Sequence, residues 1–406
     1  MTIKLGLLDP PGMVPYSSIK GSAEDSPEPW NTDKDRDISR RMALESVVLL
    51  KNENNFLPLD KTKIKSIAVI GPLADSVHWD WYGGIPPYAV TPLDGIKAEV
   101  GPNVKVNYAP DDTMDGEPAA LKAASESDVA VVVVGNNPTC GPDMDHAWYG
   151  TPEEGGGITL PCTVPSDGRE GRDRESMTLY QEQLIKQVFI KNPKTVVMLI
   201  TSFPFTVNWT EAHIPAILTM AHASQDEGTA LAKVLFGDYD PGGHLVRTWP
   251  KAEDQLPPSM DYNIRDGYTY MYFKGEPLYP FGYGLSYTTF KYANLRTSVA
   301  RMAKDGTLTV SVDVTNTGNR AGDAVVQLYV THMKSKVERP REELEGFQRV
   351  SLAPNETKTV EIPLKASQLA YWDVKKNGWV VEAEPVKLMV GDSSADIKLS
   401  KRIPIS

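Results

Sequence analysis

Apolar positions along the 406-residue chain fall into two grammars. Between residues 37 and about 285, short apolar runs alternate with segments of helical period. The runs are "SIAVIGP" (66–72), "VAVVVVG" (129–135), "TVVMLIT" (195–201) and "PAILTMA" (215–221). Near-continuous apolar strands are those buried on both faces, which is the signature of a parallel sheet covered by helices. The intervening periodicity predicts helices in "DISRRMALESVVLLKN", where Ala43, Val47 and Leu50 share a stripe with Leu44 and Val48. Two more are predicted in "YQEQLIKQVFIKN", with Leu184, Ile185, Val188 and Phe189 on one face, and in "DEGTALAKVLFG", closed by Gly237.

After residue 290 the pattern changes to strict alternation. Leu308, Val310, Val312 and Val314 point one way while Thr309, Ser311 and Asp313 point the other, and Val326, Leu328 and Val330 repeat the pattern after a glycine turn. Some 110 residues of short strands without helices read as a β-sandwich of immunoglobulin or fibronectin type. Residues 1–36 are rich in Pro, Gly, Ser and charge and read as an extended connector. The expected division is 1–36, 37–285 and 286–406. "YTYMYF" (268–273) is expected to be a strand packed against the last domain.

Composition narrows the function classes. A net charge of −11 without a basic cluster argues against nucleic acid as a partner. The longest wholly apolar run, 129–134, is far too short to cross a bilayer. No basic segment leads into an apolar one at the N-terminus, so no signal peptide is read and the compartment stays open. Cys140 and Cys162 allow one disulfide, closing a loop of 21 intervening residues and contributing roughly 3 kcal/mol if formed. Two reduced thiols fit equally well. No CxxC or HxxxH spacing suggests a metal, and no GxSxG, GxxxxGK[ST] or GxGxxG motif suggests a serine nucleophile, a phosphate loop or a dinucleotide. No cofactor is implied.

The chemistry left is that of carboxylates and aromatic rings. The segment from Asn136 to Glu175 follows an apolar strand and has no periodicity of its own, and ligands of open α/β sheets bind beyond the carboxyl ends of strands. It carries Trp148, Tyr149 and the charged stretch "SDGREGRDRE", while "HWDWYGG" with Trp79 and Trp81 follows an earlier strand. Rings beside carboxylates suit a sugar, whose C–H face stacks while its hydroxyls bond to Asp, Glu and Arg. Glu170 is a candidate general acid, a role that needs a raised pKa. The same stretch also fits a helix N-terminus decorated with surface ion pairs.

"RRMALESVVLLKNENNFLPL", "IAVIGPLAD", "EGRDR", "VLFGDYDPGGHLVRTWP", "YPFGYGLSYTTF" and "PREELEGFQRVSLAPNETKTVEIPL" together resemble the C-terminal half of glycoside hydrolase family 3, which contains β-glucosidases and β-xylosidases. The resemblance implies an (α/β)6 sandwich with a mostly parallel sheet, then a fibronectin type III-like domain. It implies Glu170 in "REGRDR" as the acid/base, with Asp167 the second candidate; Asp173 and Arg174 are expected to fix the loop through a buried pair or a helix cap, without touching substrate. Trp79, Trp81, Trp148 and Tyr149 are candidates to line the sugar site, with core or inter-domain packing the other reading. The substrate implied is an oligosaccharide or aryl β-glycoside, and "YGGIPPYAVTPLDGI" leans towards xylosidases. No residue here matches the family's nucleophile, which sits on a (β/α)8 barrel, so the resemblance also implies a barrel domain or subunit as partner. The other expectation kept open is a non-catalytic carbohydrate-binding or structural module.

Overall fold

The computed structural model describes residues 8–10, 13, 31–78, 86–110, 117–136, 176–222 and 224–406. Ala43–Ser406 form one compact unit. Its first layer system is a six-stranded sheet in the order β1-β6-β5-β4-β2-β3. The strands are β1 (Val48–Asn52), β2 (Ser66–Ile70), β3 (Lys105–Ala109), β4 (Val129–Gly135), β5 (Thr195–Ile200) and β6 (Ala216–Met220). All neighbours are parallel except β1, which pairs antiparallel with β6 at the edge.

The helices are α1 (Asp33–Ser46), α2 (Pro92–Val100), α3 (Glu117–Ser125), α4 (Glu182–Lys191), α5 (Asn208–His213) and α6 (Glu227–Leu235). Successive residues of β4 feed two cores. Val129, Val131 and Val133 join Leu93 and Ile96 of α2 and Leu231 and Leu235 of α6. Ala130, Val132 and Val134 join Ala120 and Ala124 of α3 and Ile185 and Val188 of α4. Burial on both faces is why β4 contains no polar residue.

The helix expected to run through "MALESVVLLKN" stops at Ser46, and Val48–Asn52 are strand. Val47, Val48, Leu49 and Leu50 are all at most 5% exposed. A helix with one apolar stripe cannot bury four consecutive side chains, whereas an edge strand between two helical layers does. Val48 pairs with Thr219 and Leu49 with Leu218.

The second layer system is antiparallel throughout. After β7 (Trp249–Pro250) and β8 (Pro277–Tyr279), which pair with each other, come β9 (Phe290–Thr297), β10 (Thr307–Asn316), β11 (Gly322–His332), β12 (Glu343–Leu352) and β13 (Thr357–Lys365). They are followed by β14 (Tyr371–Asp373), β15 (Gly378–Val380), β16 (Pro385–Gly391) and β17 (Ile397–Pro404). Sheets β13-β10-β9 and β12-β11-β16-β17 enclose the expected faces, Leu308 to Val314 against Val326 to Val330. "YTYMYF" packs on this sandwich but is a run of turns and not a strand. Its Tyr270 hydroxyl takes the hydrogen bond of the Leu344 amide (2.9 Å), while its ring stacks on Phe281 at 4.2 Å.

Candidate active site

The order of strands in the sheet locates the crevice. From β2 the chain steps outward to β3, then returns to the other side of β2 to lay down β4. The direction of winding reverses between β2 and β4, and ligands bind beyond the carboxyl ends of strands at such a switch point. Gly71 follows β2 directly and Gly135 ends β4. A Cβ on Gly71 (φ +121°) would lie 2.3 Å from the Val133 carbonyl oxygen, and one on Gly135 (φ +154°) 1.8 Å from that of Ile200. Only glycine lets the backbones leave the sheet this close together.

Asn136 follows directly. Its Oδ1 accepts from the Ser202 amide (2.8 Å), and its own amide donates to Ile200 O (3.2 Å), so the exit of β4 is tied to that of β5. Its Nδ2 is buried and meets no acceptor among the described residues. The chain re-enters at Ser176, whose Oγ donates to Glu253 Oε1 (2.8 Å); the Met177 amide donates to the same carboxylate oxygen. Thr206, just past β5, donates its amide to Met177 O (2.9 Å). Segment 137–175 therefore leaves and returns at the carboxyl edge of the sheet.

The segment leaving β2 crosses the same edge. His78 is buried and lies edge-on to His222, just past β6, with ring centroids 6.4 Å apart. Burial lowers the His78 pKa to about 4, so its imidazole is neutral, with Nε2 3.2 Å from Ser76 Oγ. Where this segment comes back, the Tyr88 hydroxyl donates to Asp226 Oδ2 (2.6 Å), and Asp226 is 1% exposed. Val90 exchanges backbone hydrogen bonds with Gln225 (2.8 Å) and Gly228 (2.9 Å). Thr91 caps α2, accepting from the Asp94 amide at 3.1 Å. Among the described residues, the ends flanking both long connections are thus anchored to neighbouring segments, by an imidazole, amides, hydroxyls and the carboxylates of Asp226 and Glu253.

The residues singled out from the sequence, Glu170, Asp167, Asp173, Arg174, Trp79, Trp81, Trp148, Tyr149, Cys140 and Cys162, all lie outside the described residues. The clamps at their bases, Asn136, Ser202, Tyr88 and Asp226, carry no one-dimensional signal. Each acquires its role only when β4, β5 and β6 are laid side by side. Among the described residues no three His, Cys, Asp or Glu side chains gather as a metal cage.

Comparison with known proteins gives this frame its family. Residues 47–287 match the glycosyl hydrolase family 3 C-terminal domain, and residues 324–394 match a fibronectin type III-like domain. The chain is 38% identical over 387 residues to a β-xylosidase of Formosa agariphila, covering 89% of this chain and 49% of that protein. It is 34% identical over 405 residues to a periplasmic β-glucosidase of Salmonella typhimurium, covering 95% and 52%. Among solved structures, a family 3 β-glucosidase of Bifidobacterium adolescentis superposes with a TM-score of 0.78 at 28% identity, over 95% of this chain and 55% of that one. The chain spans about half the length of the curated relatives it matches. A parallel-sheet domain with its switch-point crevice, an antiparallel sandwich behind it and matches along both place the protein in glycoside hydrolase family 3, whose C-terminal domain and fibronectin type III-like domain it carries.

Proposed function

We propose that this chain supplies the acid/base half of a retaining exo-β-glycosidase, a β-xylosidase or β-glucosidase, and that a (β/α)8 barrel supplies the nucleophilic carboxylate. Glu170 is the acid/base. Protonated, it gives its proton to the leaving-group oxygen as the barrel carboxylate attacks the anomeric carbon; ionised, it then takes a proton from the water that releases the sugar. Such carboxyl groups stand about 5–5.5 Å apart across the scissile bond, so neither half completes the cycle alone. The acid form requires burial or a nearby negative charge, so Arg169, Arg172 and Arg174 must turn away from Glu170. Asp173 and Arg174 shape the loop, Trp79, Trp81, Trp148 and Tyr149 stack on the sugar, and Asp167 is the alternative acid.

The observation that carries this reading is the anchoring of the residues that flank segment 137–175, Asn136 at the switch-point end of β4 and Ser176 and Met177 at Glu253 and Thr206. Glu170 lies six positions before Ser176, so its Cα is tethered within roughly 20 Å of that anchor. The family relatives named as β-xylosidase and β-glucosidase support the reaction class.

The test is hydrolysis of p-nitrophenyl β-xyloside and β-glucoside by the chain alone, by the chain with a separately produced family 3 barrel, and by that mixture carrying Glu170→Gln. The expected result is activity only in the mixture, lost by at least ~100-fold in Glu170→Gln, in line with the usual worth of a general acid. Azide should restore turnover to Glu170→Ala. Silence of every mixture, with sugar still bound by the chain, would establish a binding module in place of an enzyme half.

A further inference from the structure

The hairpin that precedes β16 stands apart from both sheets of the sandwich. β14 and β15 form a two-stranded sheet of their own, with Trp372 opposite Trp379 and Asp373 opposite Gly378. Its root is fixed: Leu369 is buried in the sandwich core and Val381 packs on that core. The Arg339 guanidinium lies 5.2 Å from the Tyr371 ring centroid and donates through Nη2 to Leu369 O (2.6 Å). Its tip is open, with Val374, Lys375, Lys376 and Asn377 all exposed.

The turn, residues 374–377, is shaped by Asp373, whose Oδ1 accepts from the Lys375 amide (3.0 Å) and the Lys376 amide (3.2 Å). It ends on Asn377 at φ +48°, in the left-handed region that asparagine enters more readily than most side chains. Gly378 follows, and this is the one Asn-Gly pair in the sequence. A Cβ added to Gly378 would meet nothing closer than Lys376 O at 3.8 Å, so the main chain here is uncrowded.

Four other asparagines among the described residues share the left-handed conformation: Asn54, Asn55, Asn294 and Asn355. The residues after them are Asn, Phe, Leu and Glu, whose side chains shield the next main-chain nitrogen. Asn294 also donates its Nδ2 to Asp313 Oδ2 (2.9 Å). The Asn377 side chain is exposed and makes no hydrogen bond among the described residues. This position therefore combines an unbonded carboxamide with an unshielded nitrogen in the next peptide. The turn also carries Lys375 and Lys376, whose charges favour an anion forming on the attacked carboxamide oxygen.

We propose that Asn377 is a self-modifying site, whose side-chain amide is displaced by the Gly378 main-chain nitrogen. The Gly378 amide gives its proton to hydroxide and the nitrogen attacks Asn377 Cγ. The Cγ–Nδ2 bond breaks, and Nδ2 leaves as ammonia with a proton taken from water, so a succinimide remains. Water then opens the ring at either carbonyl, giving aspartate or isoaspartate. Overall a water is consumed and an ammonia released, with no change of oxidation state. Either product adds a negative charge beside Asp373 and competes for Lys376, which lies 3.7 Å from that carboxylate. Isoaspartate also adds a carbon to the main chain of the turn, which moves Trp379 out of register with Trp372. Their rings, edge-to-face at 5.6 Å and 79°, report that change.

The test is to age the full chain at mildly acidic and mildly alkaline pH, digest samples in acid, and weigh the fragments. Expected is the mass gain of an amide-to-acid exchange in the fragment containing Asp373–Trp379, faster at alkaline pH. Isoaspartate in that fragment should accept a labelled methyl group from S-adenosylmethionine through an isoaspartate methyltransferase. Gly378→Ala, which the open space accommodates, should slow the exchange about 10-fold or more by shielding the nitrogen. The exciton band of the two indoles in circular dichroism should fall in step with isoaspartate. It should persist in Asn377→Asp, where the main chain keeps its length. Exchange at Asn377 no faster than at Asn355, or unslowed by Gly378→Ala, overturns the site. An indole band unchanged while isoaspartate accumulates overturns its effect on the hairpin.

Discussion

At the scale of single residues, burial of a carboxyl group makes its ionisation cost stability. Asp240 is the clearest case. It accepts from Ser286 Oγ (2.7 Å) and the Tyr287 amide (2.9 Å), yet its pKa is raised from 3.8 to about 6. Burial is the main cause; those two hydrogen bonds and Arg320 oppose it, while Asp323 adds to it. Below pH 3.8 the folded and unfolded chains both hold the proton. Between 3.8 and about 6 only the folded chain does, so stability falls as pH rises through that window and stays lower above it. Asp240→Asn keeps an acceptor for the Tyr287 amide and removes the charge. Its stability relative to the parent should climb by about 1–3 kcal/mol between pH 4 and pH 7, read from urea unfolding at both. A gap that does not change with pH would mean that Asp240 is ionised at no appreciable cost.

At the scale of elements, close helix packing sets the shape of the crevice wall. α2 and α6 cross backbone to backbone: a Cβ on Gly95 would lie 2.1 Å from Gly228 O, and one on Gly228 1.9 Å from Thr91 O. Thr91 caps α2 and sits three residues after Tyr88, so this crossing also fixes where the segment from β2 returns. Gly95→Ala should destabilise by about 1–3 kcal/mol or more, because the contact is with main chain that cannot rotate away. It should also weaken sugar binding at the crevice, whereas Gly101→Ala, which meets nothing within 4 Å, tests the strain of φ +64° alone. Equal effects of the two would remove the crossing as the cause. The same elements show what a one-dimensional pattern contains. β4 was legible because double burial forces every position to be apolar. β1 was not, since Val47–Leu50 continue the stripe begun by Ala43 and Leu44, and only the neighbouring β6 makes them a strand. β3 hid for the opposite reason: as an edge strand it buries only Ala109 fully, so "KVNYA" has no apolar run to see. Glu170 is a candidate from its charged loop that the family motif singles out, and it lies outside the described residues; the clamps Asn136 and Asp226 have neither signal, because strand order is a property of the whole sheet.

At the scale of the whole compact unit, the sheet domain and the β-sandwich are joined by a partly buried polar seam. Arg349 of β12 binds Asp323 through Nε and Nη2, both at 2.7 Å, and reaches across to the Tyr239 hydroxyl (3.0 Å) and Glu45 (3.6 Å). Arg320 donates to Gly237 O (2.8 Å) and lies over the Tyr287 ring. Gln327 of β11, 3% exposed, donates to Gly282 O (2.9 Å) and Asp392 O (2.5 Å) while accepting from the Tyr329 hydroxyl. Separating the two parts would exchange these bonds for bonds to water, at about 0.5–1.5 kcal/mol for each. Little of that cost is recovered while both folds stay intact, so the unit should unfold in one calorimetric transition. Arg349→Ala with Gln327→Ala cuts the seam at two points on the outer face of the sheet β12-β11-β16-β17 without touching the three apolar cores. The double variant should resolve into two transitions, the sandwich separating from the sheet domain, while each single variant keeps one. Were the double variant to melt as sharply as the parent, the cooperativity would have to come from apolar contact across the seam, such as Tyr270 stacked on Phe281 and edge-on to Tyr329, and Tyr270→Ala would then be the substitution that divides the transition.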